Sequence, residues 1–355
     1  MSSRVTLKQI ARELDVSVMT VSRALNNRSN VDHSTRQKVL ETAQRLGYRP
    51  NHIARSLVMN KTNTIGVIVP EITHSFFPEV IRGIEQTVHQ NDYQLILMHS
   101  MENQEREAQA ITTLESKRVD GLLISTAETV ENYENYQKLI DESYPLVFFD
   151  RCVFDIGASC VGVNDRTSAR EVTEHLIEHG YKKIAHLHGP EKVSIGKNRL
   201  DGFLEAMQQH DLEVRDDWLV PSALQEKGGY QAMNQLLDLP ESSRPRAIVA
   251  VNDPSAFGAM HAIYEAGLDV PDDFAIVGFS DDIRAKLMSS PLTTIRQPAY
   301  EVGKKASEKL ISLIEDPEEE IEQLIVPTEL VVRESCGCPA EEETHKMSRF
   351  MEFAE

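Results

Sequence analysis

The chain has 355 residues, of which 41% are hydrophobic and 26% are charged, and its formal net charge is −19. This composition is typical of globular proteins, and the length predicts two or three domains. No run of 18 apolar residues occurs and residues 1–9 lack an apolar signal core, so we expect a cytoplasmic protein without a membrane partner. Four cysteines in a chain of this length predict no disulfide framework.

Charge is distributed unevenly along the chain. Residues 1–60 contain ten Lys or Arg and four Asp or Glu, a net charge of +6, which leaves −25 for the remaining residues. A basic N-terminal region on an acidic body is typical of a phosphate-binding module attached to a soluble regulatory domain.

The segment from Thr6 to Asn26 predicts two short helices joined by a tight turn. Thr6 and Ser17 are suitable N-caps, and Asp15 tolerates the left-handed conformation that such a turn needs. Apolar residues have the i, i+3, i+4, i+7 spacing of a buried face in the first helix. These residues are Leu7, Ile10, Ala11 and Leu14, and the second helix would turn Val21, Ala24 and Leu25 inward.

A third helix, about Ser34 to Leu46, would complete a small core through Val39, Leu40, Ala43 and Leu46. In helix-turn-helix units the N-terminal end of the second helix enters the major groove of DNA. Arg23 is suited to a bidentate pair with guanine, and Val18 and Met19 are suited to a thymine methyl group. The alternative is a small helical pair without a ligand.

From Thr64 onwards, apolar runs of strand length alternate with amphipathic helices. The runs are residues 64–70, 93–100, 120–125, 145–150, 159–163, 183–187, 247–251 and 274–279. This alternation predicts parallel sheets buried on both faces, and right-handed crossovers give two open α/β subdomains. Ligands bind beyond the carboxyl ends of strands in such sheets, so the loops there should border a shared cleft.

Three motifs in order, VSVMTVSRALN, LGYRPN and ARSL, resemble the LacI/GalR family of bacterial transcription regulators, and the resemblance extends from about Thr6 to Glu334. It implies an α/β fold class: an all-α helix-turn-helix head and a periplasmic-binding-protein-like core of two doubly wound parallel-sheet subdomains. The implied domains are residues 1–50 for DNA binding, 51–62 for a hinge helix and linker, 63–335 for the core and 336–355 for an acidic extension. Within the core, the N-subdomain would take residues 63–161 and 292–323, and the C-subdomain residues 162–290 and 324–335. In the family the chain passes between the subdomains three times, which here would fall near residues 160–163, 289–294 and 321–326.

The hinge segment contains Ile53, Ala54 and Leu57 at helical spacing. A two-turn helix is marginal in water, so it should order with a partner or on DNA. In the family the matching helix pairs with its dimer mate in the minor groove, and the residue matching Leu57 wedges between base pairs. A linker helix with Leu57 packed on the core is the alternative.

The resemblance also implies site residues. Those for DNA binding are Thr6, Ser17, Val18, Met19, Thr20, Ser22, Arg23, Asn26, Asn27, Thr35, Tyr48, Asn51, Ala54 and Leu57. Those for a small-molecule effector are Phe76, Phe77, Asp150, Arg199, Leu224, Asn252, Ser280 and Asp281.

Aromatic faces with Arg, Asn and Asp suit a polar ring such as a sugar or a purine. Arg199 matches the family's effector-clamping Arg, whereas Ser280 falls where many members have Asp, with Asp281 beside it. Val193 and Ile195 stand where purine-binding relatives carry polar groups, which favours a sugar. The alternatives are that Phe76 and Phe77 are core aromatics, that Asn252 caps a helix, and that Asp281 and Asp282 lie on a solvated loop.

Enzyme motifs of the types GxGxxG, GxxxxGK[ST], GxSxG and HExxH do not occur. Cys336-Gly-Cys338 is a weak metal signal without a second ligand pair, so we expect a mobile tail, no metal and no cofactor.

We therefore expect a homodimeric, non-enzymatic repressor of carbohydrate-use genes that binds double-stranded operator DNA under control of a sugar-like effector. The alternatives are a global catabolite regulator controlled by a phosphoprotein partner, a solute-binding protein, and a sugar-modifying enzyme.

Overall fold

The computed structural model describes residues 5–25, 30–48, 61–128 and 133–338. The chain forms two compact units, Met1–Thr62 and Asn63–Glu355, which we call the head and the core. None of the helices in these described ranges is long and apolar enough to cross a membrane.

The head contains the helices α1 (Leu7–Leu14), α2 (Val18–Leu25) and α3 (His33–Arg45). Thr6 forms a capping box with Gln9, whose Oε1 accepts the Thr6 backbone N–H at 2.7 Å. Asp15 ends α1 in the left-handed region at φ 51°, as the sequence predicted. The helices enclose a small core of Ile10, Ala11, Val21, Ala24, Val39 and Ala43.

The buried face of α3 differs from the prediction at one position. Leu40 is 48% exposed, and Thr42 is buried instead. Val39, Thr42 and Ala43 have the i, i+3, i+4 spacing of one helix face, and Leu40 lies about 100° around the helix from Val39. The prediction of Leu40 as a core residue was therefore wrong.

The core alternates strands and helices. Its strands are β1 (Thr64–Val69), β2 (Gln94–His99), β3 (Gly121–Ile124), β4 (Leu146–Phe149), β5 (Ser159–Gly162), β6 (Ile184–His188), β7 (Leu219–Pro221), β8 (Ala247–Ala250), β9 (Ala275–Ser280), β10 (Thr293–Arg296), β11 (Gln323–Ile325) and β12 (Glu329–Val331). Its helices are α4 (Phe76–Gln90), α5 (Gln104–Ser116), α6 (Glu134–Asp141), α7 (Asp165–Glu178), α8 (Ser194–Gln209), α9 (Glu226–Leu237), α10 (Asp253–Glu265) and α11 (Ala299–Glu315).

The strands form two sheets, with the orders β11-β5-β4-β3-β1-β2 and β12-β10-β9-β8-β6-β7. All pairings within them are parallel except that of β10 with β12. Strands β1, β3, β4 and β8 are buried at almost every position, because helices cover both faces. The predicted fold class is confirmed.

The chain passes between the subdomains three times, and two passages differ from the expected positions. The first follows Gly162, within the expected range of 160–163. The second follows Arg296 rather than falling at 289–294, because β10 pairs with β9. The third lies between β11 and β12, because β11 still pairs with β5 of the first sheet. Ile325 therefore belongs to the first subdomain.

Helix α11 returns to the first subdomain and packs tightly on α4. A Cβ atom at Gly83 would overlap the carbonyl oxygen of Tyr300, and one at Gly303 would overlap that of Val80. The two glycines therefore allow the backbones of the two helices to touch.

The cysteines also depart from expectation. Cys152 and Cys160 form a disulfide between the segment after β4 and strand β5, although no disulfide framework was predicted. Cys336 and Cys338 are buried in the core, with exposed fractions of 0% and 7%, rather than lying in a mobile tail. Both sulfur atoms lie beside His175 of α7 in the second subdomain.

Candidate functional site

The head exposes several of the side chains predicted to contact DNA at the start of α2. Ser17 caps this helix, because its Oγ accepts the Thr20 backbone N–H at 3.0 Å. Val18 and Met19 are 41% and 62% exposed, although both side chains are apolar. Arg23 is exposed one turn further along. Exposed apolar side chains beside an exposed Arg are suited to base edges in a groove.

The other described residues that were predicted to contact DNA lie at helix starts or are half-buried. Thr35 lies in the first turn of α3, where the Asp32 carboxylate accepts its N–H at 3.1 Å and that of Ser34 at 2.9 Å. These bonds hold the pKa of Asp32 well below its usual range. Thr6 is exposed, and Ser22 and Tyr48 are half-buried. Asn26, Asn27, Asn51, Ala54 and Leu57 lie outside the described residues, so their roles stay predictions.

The core contains a cleft between its subdomains with about 480 Å³ of space, part of it open to solvent. Only about 50 Å³ of this space can hold the centre of a water molecule, which is well below the roughly 300–1,000 Å³ of small-molecule sites, so a sugar would need the subdomains to move apart. The structure brings seven of the eight predicted effector residues together here: Phe76, Phe77, Asp150, Arg199, Leu224, Asn252 and Ser280. Apart from Arg199, which stands in the second turn of α8, they lie at strand ends or in the segments that follow them, as expected at the carboxyl edges of open parallel sheets.

Arg199 is held firmly at the base of the cleft and is only 2% exposed. Its Nε and Nη2 both lie 2.8 Å from Asp165 Oδ1, and Nη1 donates to the Val251 carbonyl oxygen at 2.7 Å. Its guanidinium also lies 3.6 Å from the centre of the Phe279 ring. A guanidinium has five N–H donors, so these contacts leave donors for a ligand in an orientation that is already fixed.

Asp150 supplies a carboxylate at the same cleft. Burial raises its pKa to about 6, although Arg151 and Arg199 favour the charged form. Gln297 Nε2 donates to Asp150 Oδ1 at 3.4 Å. Asp150 is therefore largely ionised at neutral pH, and it can accept hydrogen bonds from hydroxyl groups.

Arg151 stands next to Asp150 but is committed to another partner. Its two Nη atoms donate to the two carboxylate oxygens of Glu102 at 2.8 and 3.0 Å. Such a bidentate pair neutralises the guanidinium locally. The net charge that Arg151 presents to the cleft is consequently small.

Two walls of the cleft are apolar. The rings of Phe76 and Phe77 meet edge to face, with centroids 5.2 Å apart. Phe77 is only 4% exposed and belongs to the main core, whereas Phe76 is half-buried and offers the more accessible ring. On the other side, Leu224 packs in a small cluster with Val193, Ile195 and Val251.

Asn252 and Asp281 have structural partners of their own. Asn252 caps α10 through the Ser255 N–H, at 2.9 Å, and its Nδ2 donates to the Leu224 carbonyl at 3.0 Å. It therefore fills the helix-cap role while it lines the cleft. Asp281 does not line the cleft, because its carboxylate accepts from Arg296 at 2.7 Å and from Arg333 at 2.6 Å.

The cleft also contains residues that were not predicted as effector contacts. They are Glu71, His74, Arg151, Ile195, Gln225, Pro254, Asp282 and Gln297. Gln297 was missed because the second passage between subdomains was expected before β10 rather than after it. Glu71 and Gln225 stand in connections that carry no motif.

Several of these residues join the two subdomains across the mouth of the cleft. Arg284 Nη2 donates to His74 Nδ1 at 3.2 Å, and His74 Nε2 donates to Gln225 Oε1 at 3.2 Å. The Ser75 backbone N–H donates to Asp282 Oδ2, also at 3.2 Å. The subdomains are thus in contact beside the cleft, and a change in their separation there must break these bonds.

A helix-turn-helix head together with two doubly wound subdomains around a polar cleft defines a class of transcription regulators with a periplasmic-binding-protein-like core. The comparisons agree. Residues 6–51 match the family of bacterial regulatory proteins, lacI family, and residues 62–334 match periplasmic binding proteins and the sugar binding domain of the LacI family. The chain belongs to the LacI family and is a DNA-binding transcription regulator.

Individual relatives match over nearly the full length. The chain is 34% identical over 337 residues to the probable HTH-type transcriptional repressor ExuR of Bacillus subtilis, and 36% identical over 332 residues to the ribose operon repressor of Haemophilus influenzae. Each alignment covers 93% of this chain and 98% of the relative. Among solved structures, the lac repressor dimer bound to operator and the anti-inducer ONPF is 26% identical, with a TM-score of 0.83, over 94% of this chain and 99% of that one.

Proposed function

We propose that this chain is a homodimeric repressor whose affinity for a near-palindromic operator changes when a neutral carbohydrate occupies the cleft of the core. The observation that carries the proposal is the buried Arg199 guanidinium, which Asp165 orients and which lines the same cleft as Asp150 and Phe76. The relatives named above are repressors, and one is a ribose operon repressor.

The chemistry of the cleft favours a neutral polyol over an anion. Arg199 offers N–H donors, Asp150 offers a carboxylate acceptor, and Phe76 offers an apolar ring face. Both buried arginines are already paired with carboxylates, Arg199 with Asp165 and Arg151 with Glu102. The Asp150 carboxylate would repel a phosphate group, and no unpaired cation in the cleft would offset that repulsion. Sugar hydroxyls, in contrast, could accept hydrogen bonds from Arg199 and donate them to Asp150.

The contacts between subdomains supply a route from occupancy to a change of shape. A ligand shifts a conformational equilibrium only by its differential affinity for the two states. Arg199 and Asp150 belong to opposite subdomains, so a ligand that bonds both would favour one spacing of the subdomains. The bonds from Ser75 to Asp282 and from His74 to Gln225 would strengthen or break accordingly.

The head supplies base reading for one half-site only. Its exposed Val18, Met19 and Arg23 lie within two turns of one helix, and such a helix contacts a few base pairs. A near-palindromic operator therefore requires two heads, and dimerisation through the acidic core would supply the second.

The test is footprinting of genomic fragments with purified full-length protein, with and without each member of a panel of neutral sugars and sugar phosphates. We expect salt-sensitive protection of a near-palindromic site, with a midpoint that one neutral sugar shifts. Absence of specific protection would overturn the regulator proposal. Protection that no sugar changes, but that a phosphoprotein changes, would overturn the carbohydrate part.

A further inference from the structure

A histidine and two cysteines meet where the C-terminal segment packs on α7. His175 Nε2 lies 3.5 Å from Cys336 Sγ and 3.2 Å from Cys338 Sγ. All three potential ligand atoms lie within 4.8 Å of one another. Cys336 is completely buried, Cys338 is 7% exposed and His175 is half-buried, so the group is shielded but open on one side.

The fold holds the two cysteines in a fixed loop. Gly337 adopts φ 70°, and its N–H donates to the Glu334 carbonyl at 2.9 Å. A Cβ atom at this position would also lie 2.8 Å from the Tyr181 hydroxyl oxygen. Tyr181 in turn donates to the Cys336 carbonyl at 3.1 Å. Glycine is therefore favoured between the cysteines, and the loop turns both sulfur atoms toward His175.

The segment is also anchored to the second sheet. Ser335 Oγ accepts the Thr293 N–H at 2.8 Å and donates to the Ile276 carbonyl at 2.6 Å. Two strands thereby fix the residue before Cys336, while α7 carries His175 in its last turn. The three side chains are positioned by separate elements that the fold already holds together.

We propose that His175, Cys336 and Cys338 form a Cys2His binding site for zinc, with a fourth coordination position left to solvent. A tetrahedral zinc ion about 2.3 Å from sulfur and about 2.1 Å from nitrogen requires N···S separations of about 3.6 Å. The two observed separations are within a few tenths of an ångström of that value. Two thiolates and an imidazole select zinc over magnesium or calcium, which prefer oxygen ligands.

Binding would convert both thiols to thiolates and release their protons, so it must weaken in acid. It would also tie the segment Glu334–Cys336 to α7. The first residue of α7 is Asp165, which orients Arg199 in the cleft. The N-terminal end of α7 thus supports the effector site. The zinc site would stabilise the C-terminal end of the same helix in the second subdomain.

The experiment uses full-length protein that has been reduced, stripped of metal with a chelator and titrated with Co²⁺ and then Zn²⁺. We expect one equivalent of Co²⁺ per chain with intense thiolate-to-cobalt absorption, displacement by Zn²⁺ and a higher melting temperature with zinc. His175→Gln and Cys338→Ser should abolish the absorption and the zinc-dependent gain in melting temperature.

Matched controls separate the site from neighbouring groups and from misfolding. His179→Gln changes the histidine that follows α7, whose ring centroid lies 4.4 Å from that of His175, and it should keep the cobalt absorption. The double variant Cys152→Ser, Cys160→Ser should keep it too. Circular dichroism and melting in chelator check that His175→Gln and Cys338→Ser fold like the parent.

Two results would overturn the proposal. One is cobalt absorption of equal strength in His175→Gln or Cys338→Ser. The other is folded, reduced parent protein that binds no stoichiometric metal although Cys336 and Cys338 are free thiols.

Discussion

Arg199 and Asp165 form a buried ion pair in which one carboxylate oxygen, Oδ1, meets both Nε and Nη2 at 2.8 Å. Burial raises the pKa of Asp165, and the neighbouring guanidinium opposes that shift. The pair therefore orients Arg199 before any ligand arrives, which reduces the ordering cost of binding. It also means that removal of either partner leaves the other charge buried and unpaired.

The first prediction concerns Arg199 itself. Arg199→Lys keeps a positive charge near Asp165 but loses the planar fork of donors, so it tests orientation rather than charge. Loss of a charge-assisted hydrogen bond costs about 1.5–3 kcal/mol, so effector affinity should fall roughly 10- to 150-fold. Operator binding without effector should stay intact. Isothermal titration with the effector and an operator-binding assay measure the two quantities.

Arg199→Ala is the companion variant. It should abolish the effector response and also lower the free energy of unfolding, because Asp165 is left buried without a cation. Effector affinity equal to that of the parent in both variants would remove Arg199 from the site.

The second prediction follows from the raised pKa of Asp150. A hydroxyl donor of the effector needs the ionised carboxylate, and the pKa of Asp150 is about 6. Effector affinity should therefore be constant above pH 7 and weaken as the pH falls below 6, by up to about tenfold per pH unit. Asp150→Asn should bind more weakly at pH 7.5 and should lack this dependence. A parent affinity that does not change between pH 7.5 and pH 5 would contradict the role of Asp150 as acceptor.

Much of the fold follows from local sequence patterns. The apolar runs of β1, β3, β4 and β8 predict buried parallel strands, and Thr6, Asp15 and Ser17 predict the ends of α1 and α2. Strand β10 lacks such an apolar pattern, because Thr293 and Thr294 are polar, yet both are fully buried. Their hydroxyls are satisfied by the Arg333 carbonyl at 3.1 Å and by Asp253 Oδ1 at 2.6 Å. Those partners are about 40 residues away, so only the folded chain reveals them.

The candidate site, like the fold, depends partly on local sequence patterns and partly on contacts between residues far apart in the sequence. The sequence located residues after strand ends in the cleft. It did not show which of two adjacent residues lines the cleft, because contacts with distant parts of the chain decide that. Ser280 and Asp281 have φ values of 136° and 57°, and this turn sends the Asp281 carboxylate toward Arg296 and Arg333. Asp282 reaches the cleft instead. Cys336 and Cys338 were assigned to a tail because His175 is about 160 residues earlier in the sequence.

The third prediction concerns stability and the buried Glu107. This side chain is 2% exposed, and burial raises its pKa to about 7, although Tyr136 and the Ala127 N–H donate to its carboxylate. The folded-state pKa lies above the ordinary value of 4.5, so the folded chain binds more protons than the unfolded chain in this window. The contribution of Glu107 to the free energy of unfolding should rise as the pH falls from about 7 to about 4.5.

Glu107→Gln tests that assignment. Urea unfolding of parent and variant between pH 5 and pH 8 should show that the variant lacks part of this pH dependence, at most about 1.4 kcal/mol per pH unit. Asp150 and Asp253 are also buried carboxyl groups with raised pKa values, whereas burial lowers the pKa of His175 and His186, which contribute with the opposite sign. The difference between the slopes of parent and variant, rather than either slope alone, therefore measures Glu107. Identical slopes in the two proteins would show that Glu107 does not titrate in this range.

The last prediction concerns base reading by the head. Arg23 is exposed on α2, whereas Val21 and Ala24 of the same helix are buried, so its side chain points away from the head core. If Arg23 pairs with a guanine, Arg23→Ala should cost about 1–3 kcal/mol on the parent operator and almost nothing on an operator mutated at that one base pair. Lys38→Ala also removes one positive charge from an exposed helical position, and it should change all operators alike or none. Binding of each variant to a set of singly substituted half-sites distinguishes the two patterns. A uniform loss of affinity for Arg23→Ala would assign Arg23 to phosphate contact rather than to sequence recognition.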